Sequence, residues 1–298
     1  MIKKLKLILF IVFFVYQTSA YSKTVDGSDF NPKYLSDYLS AIISQNNLNS
    51  DASVKYFNSS KILINKHQEF LKEYAITLTI NGRVQESINI IKQNREQNNS
   101  NFFEAKLLLL IDNFKKKKFD QNIELLNEFK EYRDHSNYQY IIYEVLKSYN
   151  DLFLTKEINL SNKKNFGKLS SINQAFQYCY LDQPETSTKF ISIINSNEGD
   201  YSRYLFFYLH NLIKKKDFES VLQVSKTINA LDSNLLIQQS KQWIDNLNYN
   251  KFDQFFSCNN EADILAEFFF LISNFYAVDN NFEKSNFYSN ISNYLNPK

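Results

Sequence analysis

Residues 267–297 read Glu267-Phe-Phe-Phe-Leu-Ile-Ser-Asn-Phe-Tyr-Ala-Val-Asp-Asn-Asn-Phe-Glu-Lys-Ser-Asn-Phe-Tyr-Ser-Asn-Ile-Ser-Asn-Tyr-Leu-Asn-Pro297, the pattern of two apolar helices joined by a short polar turn and closed by a proline. Phe269, Ile272, Ser273 and Tyr276 recur at helical spacing and give the first helix an apolar face. Ser273 is small in the middle of that face, where a second helix can approach closely. Val278-Asp-Asn-Asn-Phe282 supplies turn chemistry. Ser285, Tyr288, Ile291, Ser292 and Leu295 continue the spacing along the second helix. Pro297 lacks the amide proton a helix needs and disfavours helical geometry at Asn296.

Looser copies of this hairpin fill the upstream chain. Leu39, Ile42 and Ile43 share one helical face, followed by the turn Asn46-Asn-Leu-Asn-Ser-Asp51. Phe70, Leu71, Tyr74, Ala75 and Leu78 form another first helix, stopped by Asn81-Gly82, residues that favour a left-handed terminus. Phe103, Leu107, Leu110 and Ile111 precede the turn Lys115-Lys-Lys-Lys-Phe-Asp120. The apolar residue after each turn acts as a ruler. Leu48, Val84 and Phe119 are 36 and 35 residues apart, and Phe218, Phe252 and Phe282 are 34 and 30 apart. The 99 residues between Phe119 and Phe218 are close to three further periods. Residues 155–168 show little periodicity and fit a degenerate second helix or a surface loop around Gly167. Only 4 Gly and 3 Pro break the chain, whereas 27 Phe and 20 Tyr supply large rings for helix-on-helix packing.

Phe269, Ile272, Ser273, Tyr276, Phe282, Ser285, Ser292 and Pro297 each match a packing position of the tetratricopeptide repeat (TPR), and the hairpin resembles that 34-residue unit. It departs from the motif in carrying Ser where Gly or Ala is favoured. The resemblance implies an all-α fold, a right-handed α-solenoid (superhelix) of about seven TPR-like helix-turn-helix units. The array would span 33–298, regular over 33–135, degenerate over 136–199 and regular again over 200–298. TPR arrays hold a protein or peptide partner on the inner faces of their first helices. Carried onto this sequence, the groove positions are Lys72, Ile76 and Thr79 in one repeat and Phe270, Asn274 and Ala277 in the last.

The N-terminus has a different character. Met1-Ile-Lys-Lys-Leu-Lys6 is basic, Leu7 to Tyr16 is apolar, and Thr18-Ser19-Ala20 has the small residues a signal peptidase reads. The expectation is a secretory signal over 1–20, a polar linker over 21–32, and export, with the periplasm as destination. An uncleaved signal would instead bring membrane contact. The 34 basic residues less Lys3, Lys4 and Lys6 leave 31 against 32 acidic ones, so the mature chain is nearly neutral and offers no electrostatic case for nucleic acid. Cys179 and Cys258 are the only cysteines. Export permits a disulfide, but 79 residues exceed two repeats of a stack in which each repeat touches its neighbours, which predicts two separate thiols.

No motif for a metal, cofactor or phosphate is present, and His67, His135 and His210 stand apart in sequence. The lysine runs 115–118 and 214–216 fit helix C-termini, where cations offset exposed carbonyls, with an anion-binding patch as the alternative. These observations favour an exported, non-enzymatic scaffold or adaptor of the cell envelope without a cofactor. The alternative is a helical-toroid enzyme acting on envelope polysaccharide, for which an acidic pocket would speak. The sequence stops at Lys298 with no capping helix. This predicts an exposed edge at Phe287, Ile291 and Tyr294, explained by truncation, self-association through the last repeat, or a docked partner.

Overall fold

Helix follows helix along the chain, and one backbone device joins most of the pairs. The computed structural model describes residues 31–47, 49–95, 100–129, 138–159, 164–196, 202–229 and 233–298. The expected signal and all but the last two linker residues lie outside them. The N-terminal helices are α1 (Pro32–Asn46), α2 (Ser50–Ser59), a short 3-10 helix (Lys61–Asn65), α3 (Phe70–Ile80), α4 (Val84–Gln93), α5 (Phe103–Lys115) and α6 (Phe119–Glu128). Then come α7 (Tyr138–Thr155), α8 (Lys168–Tyr180), α9 (Thr186–Ile194), α10 (Tyr204–Lys214) and α11 (Phe218–Thr227). The last four are α12 (Leu235–Asp245), α13 (Asn250–Phe255), α14 (Glu261–Val278) and α15 (Phe282–Leu295). Among the described residues there is no strand, and the fold is all-α.

Six turns share their hydrogen bonding. Gly82, Lys117, Asp182, Lys216, Leu247 and Asn280 all have left-handed φ, between 52° and 73°. In each turn the following amide donates to a carbonyl five residues back, as Arg83 N does to Leu78 O at 2.8 Å and Asn281 N to Tyr276 O at 2.8 Å. This bond, paired with one from the left-handed residue itself, ties off helix-end carbonyls that would otherwise lack partners. Asparagine and aspartate serve the opposite ends. The side chains of Asn49, Asp217, Asn234 and Asn281 accept from the first-turn amides of α2, α11, α12 and α15.

Buried serines tie some pairs together at mid-height. Ser53 Oγ donates to Ala41 O at 2.9 Å, Ser87 Oγ to Ala75 O at 2.8 Å, and Ser273 Oγ to Ser285 O at 2.9 Å. The small residues at these crossings let the paired backbones approach. On α1, however, Tyr38 and Ala41 form the buried face, while Leu39 and Ile43 are exposed. Of the expected apolar stripe on that helix, Ile42 packs against the core, whereas Leu39 and Ile43 face outward.

The last hairpin does not continue the succession of neighbours. Helix α15 packs on α3, α4 and α5, and α14 packs on α5. Asn290 Nδ2 donates to Ile80 O at 2.8 Å, Tyr294 OH to Gln85 Oε1 at 2.7 Å, and Lys115 Nζ to Tyr294 O at 2.5 Å. Helix α14 is buried nearly all round, through Ile264, Leu265, Phe268, Phe269, Ile272 and Tyr276, with Glu261, Asp263 and Glu267 also enclosed. A helix apolar on every side belongs in an interior.

Candidate functional site

Groups from three other helix ends converge on the N-terminus of α14. Glu261 Oε2 meets Lys117 Nζ at 3.0 Å, and Glu261 Oε1 accepts from Tyr180 OH at 2.8 Å and lies 3.9 Å from Lys156 Nζ. Lys117 follows α5, Lys156 follows α7, and Tyr180 ends α8. Desolvation raises the Glu261 pKa, but the hydrogen bond to its own backbone amide and those from Lys117 and Tyr180 outweigh it and hold the carboxyl below its usual range. Farther along, Arg203 grips Glu267 with two hydrogen bonds of 2.8 and 2.7 Å and lies 4.2 Å over the ring of Phe270. At the other end of α14, Tyr138 of α7 stacks with Phe275 and donates to Asp279 Oδ2 at 2.9 Å. Helices α7 and α14 thus run antiparallel.

A disulfide closes the same collar. Cys179 of α8 is bonded to Cys258, just before α14, with Cα atoms 5.6 Å apart. The expectation of two separate thiols is wrong, because α14 is not confined to its sequence neighbours and returns the chain to α8. Beside the disulfide, His210 Nε2 lies 2.7 Å from Asp253 Oδ1. Burial lowers the His210 pKa, outweighing the opposite pull of Asp253, so the imidazole is neutral near pH 7.

The positions expected to line a groove do not form one open surface. Thr79 is fully buried and donates to Ala75 O at 2.9 Å, so it is unavailable to a partner. Lys72 is half-buried and pairs with Glu69 at 3.5 Å, and Ile76 packs against the core. Phe270 lies under Arg203, Ala277 is half-buried, and Asn274 is exposed. The expected association edge is covered as well. Phe287 and Ile291 are buried within the chain, and Tyr294 is held by Gln85 and Lys115. The lysine runs have internal partners too: Lys116 pairs with Asp112 at 2.8 Å, and Lys214 meets Asn259 at 2.6 Å.

A cleft lined by both polar and apolar side chains opens between α7 and α8. Residues 156–159 and 164–167, which link the two helices, are not helical, and Gly167 enters α8 with φ 62°. Helix α7 contributes Glu144, Val145, Lys147, Ser148 and Asp151 to the walls, and α8 contributes Ser170, Asn173, Gln174 and Gln177. Glu157, Asn159, Lys164 and Phe166 come from the link. Gln177 Nε2 donates to Ser148 Oγ at 2.9 Å, Lys189 Nζ to Gln174 Oε1 at 3.2 Å, and Tyr149 OH to Asn173 Oδ1 at 3.1 Å. Lys164 sits 4.5 Å over the ring of Tyr140. Desolvation raises the Asp151 pKa despite the nearby Lys147. The sequence signal for this cleft was the loss of periodicity over 155–168, which marked an irregularity without disclosing what it lines.

Compared with family models, curated proteins and solved structures, the chain matches none. Among the described residues no group of three or more His, Cys, Asp or Glu is placed to hold a metal ion, and no helix is long and apolar enough to cross a membrane.

Proposed function

We propose that this chain is an exported, non-enzymatic scaffold, a right-handed solenoid of about seven TPR-like units that binds a protein or peptide of the cell envelope. The recurrence of one turn supports the repeat reading. Its left-handed residues lie 35 residues apart at 82 and 117, then 34, 31 and 33 apart from 182 to 280. The disulfide supports export, since such bonds persist in oxidising compartments. The observation that carries the binding role is the α7–α8 cleft, which stands open while the α3 face is covered by α15. The cleft contains carboxylates, as the polysaccharide-cleaving alternative requires. These carboxylates, Glu144, Asp151 and Glu157, share the walls with Lys147 and Lys164, and release of sugar fragments is what separates the two readings.

Photo-crosslinking in intact cells tests the proposal, with the reactive residue at Gln174 in the cleft or at exposed Asn89 on α4. One protein recovered from Gln174 and absent from Asn89 supports it. Release of soluble sugar fragments from purified cell-wall material by the purified chain would overturn it.

A further inference from the structure

We infer that the turn joining α12 to α13 inserts shallowly into a lipid bilayer, with Leu247 entering the acyl layer beside Phe218 and Tyr249 and the adjacent lysines meeting headgroup phosphates. None of these three side chains borders the α7–α8 cleft, so the surface goes beyond the scaffold reading.

Leu247 is the turn residue that the fold does least to explain. Gly82, Asp182 and Asn280 suit the left-handed position they occupy, and Lys117 and Lys216 place there the cations that a helix C-terminus favours. Leu247 adopts φ 57°, which a bulky side chain disfavours, and that side chain is 70% exposed. A strained residue that covers no core points to a use outside the fold. Its neighbours are apolar as well. Phe218 is 41% exposed, and its ring stacks at 4.9 Å on that of Tyr249, two residues beyond Leu247.

Residues 245–248 are all exposed, so the leucine stands on a projecting turn and lines no groove. Three partly exposed side chains fall short of the roughly 1,200 Å² that a specific protein interface buries. A bilayer needs no fitted socket: apolar tips insert, and each ammonium adds attraction to the headgroups. Lysines are in place for that. Lys215 and Lys216 directly precede Asp217 and Phe218, Lys251 follows Tyr249, and these three meet no carboxylate among the described residues. The carboxylates beside them are engaged within the chain. Asp217 accepts from Ser220 N at 3.2 Å, Asp245 pairs with Lys241 at 3.5 Å, and Asp253 lies 2.7 Å from His210. Glu219 remains against the three ammoniums.

The test uses the full disulfide-bonded chain with a polarity-sensitive fluorophore on Asn248→Cys. Vesicles of equal parts phosphatidylglycerol and phosphatidylcholine should shift its emission to the blue, and nitroxides high on the acyl chains should quench it. The same label on exposed Asn89→Cys of α4 should not respond, which separates insertion of this turn from adsorption through residues 1–20. Adding Leu247→Gly should raise the lipid concentration for half the shift about tenfold, the low end for withdrawing a leucine from an apolar layer. Lys215→Gln with Lys216→Gln should raise it about fivefold per lysine. Unchanged urea midpoints for the lysine variant, and an unchanged or higher one for Leu247→Gly, separate these effects from misfolding. No shift at residue 248, an equal shift at residue 89, or a response undiminished by Leu247→Gly overturns the inference. So does the same shift without lipid, whether produced by polyphosphate, which assigns the lysines to soluble polyanions, or by raising the protein concentration, which assigns the turn to a second copy. Each of these failures leaves the scaffold reading to be decided by the crosslinks at Gln174.

Discussion

Breaking the Cys179–Cys258 bond should cost this chain a large part of its stability without removing a packing contact. The bonded residues are 79 apart in sequence. For a closed loop of that size the chain-entropy relation gives about 15 cal/mol/K, or about 4.5 kcal/mol at 25 °C. Measured losses usually fall below the entropic figure, so Cys179→Ala with Cys258→Ala is expected to lose about 2–4.5 kcal/mol. Urea unfolding of the oxidised, reduced and double-alanine forms provides the assay, followed by circular dichroism and by fluorescence of Trp243. That tryptophan packs 5.4 Å from the Phe252 ring and reports on the C-terminal part of the chain. The reduced and double-alanine forms should unfold at lower urea by both probes, with a steeper slope because an uncrosslinked unfolded chain exposes more surface. Superimposable curves, or two titratable thiols in the untreated protein, would refute the reasoning.

Arg203→Leu leaves the enclosed Glu267 carboxylate unpaired and should cost about 3 kcal/mol, the low end for a broken buried pair because Arg203 keeps 28% of its side-chain exposure. Adding Glu267→Leu should recover most of that loss in thermal melts; a double variant no better than the single would contradict the pairing. His210 predicts an acid-side weakness. Its folded pKa lies below the ordinary value of about 6.5, so its neutral form stabilises the fold fully above that pH. This contribution is lost as pH falls from about 6.5 toward the folded pKa, and His210→Gln should flatten the melting-temperature profile between pH 7 and 5. Leu247 is 70% exposed with φ 57°, so Leu247→Gly should relieve backbone strain and raise stability by about 0.5–1 kcal/mol, measured by urea midpoint. A loss there would mean that the leucine side chain contributes contacts.

What could be read from the sequence was the part written within a few residues. Asn81-Gly82 marked a left-handed stop, and Gly82 occupies it with φ 73°. Ser273 marked a close helix crossing, and its hydroxyl bonds Ser285 across that crossing. Both features depend on neighbours in one hairpin, which periodicity and turn chemistry encode. The position of the last hairpin depends on residues about 200 positions away, which no local pattern records. Phe268-Phe-Phe-Leu271 did carry a hint, since three consecutive rings leave a helix no polar face. Reading α14 as amphipathic made it an outer repeat, and that in turn kept Cys258 far from Cys179. The resemblance to a repeat array made Thr79 a groove residue, although its whole side chain is enclosed. On α1 the error was a partial one of phase, since Ile42 of the expected face does pack on the core. Leu39 and Ile43 have helical spacing, but the rings of Phe57 and Phe70 contact Tyr38 and bring the other face inward.

The central claim is that the hairpin of residues 261–295 docks on α3, α4 and α5 of its own chain. Gln85→Cys with Tyr294→Cys replaces two side chains that now share a 2.7 Å hydrogen bond, and the native disulfide remains intact. Treated with a short-spacer bismaleimide at low protein concentration, this variant should give a crosslink between residues 85 and 294 at the mass of one chain, whereas Gln85→Cys with exposed Ser289→Cys should react far less. Crosslinking only at twice the chain mass, or none while both thiols label freely, would contradict the docking.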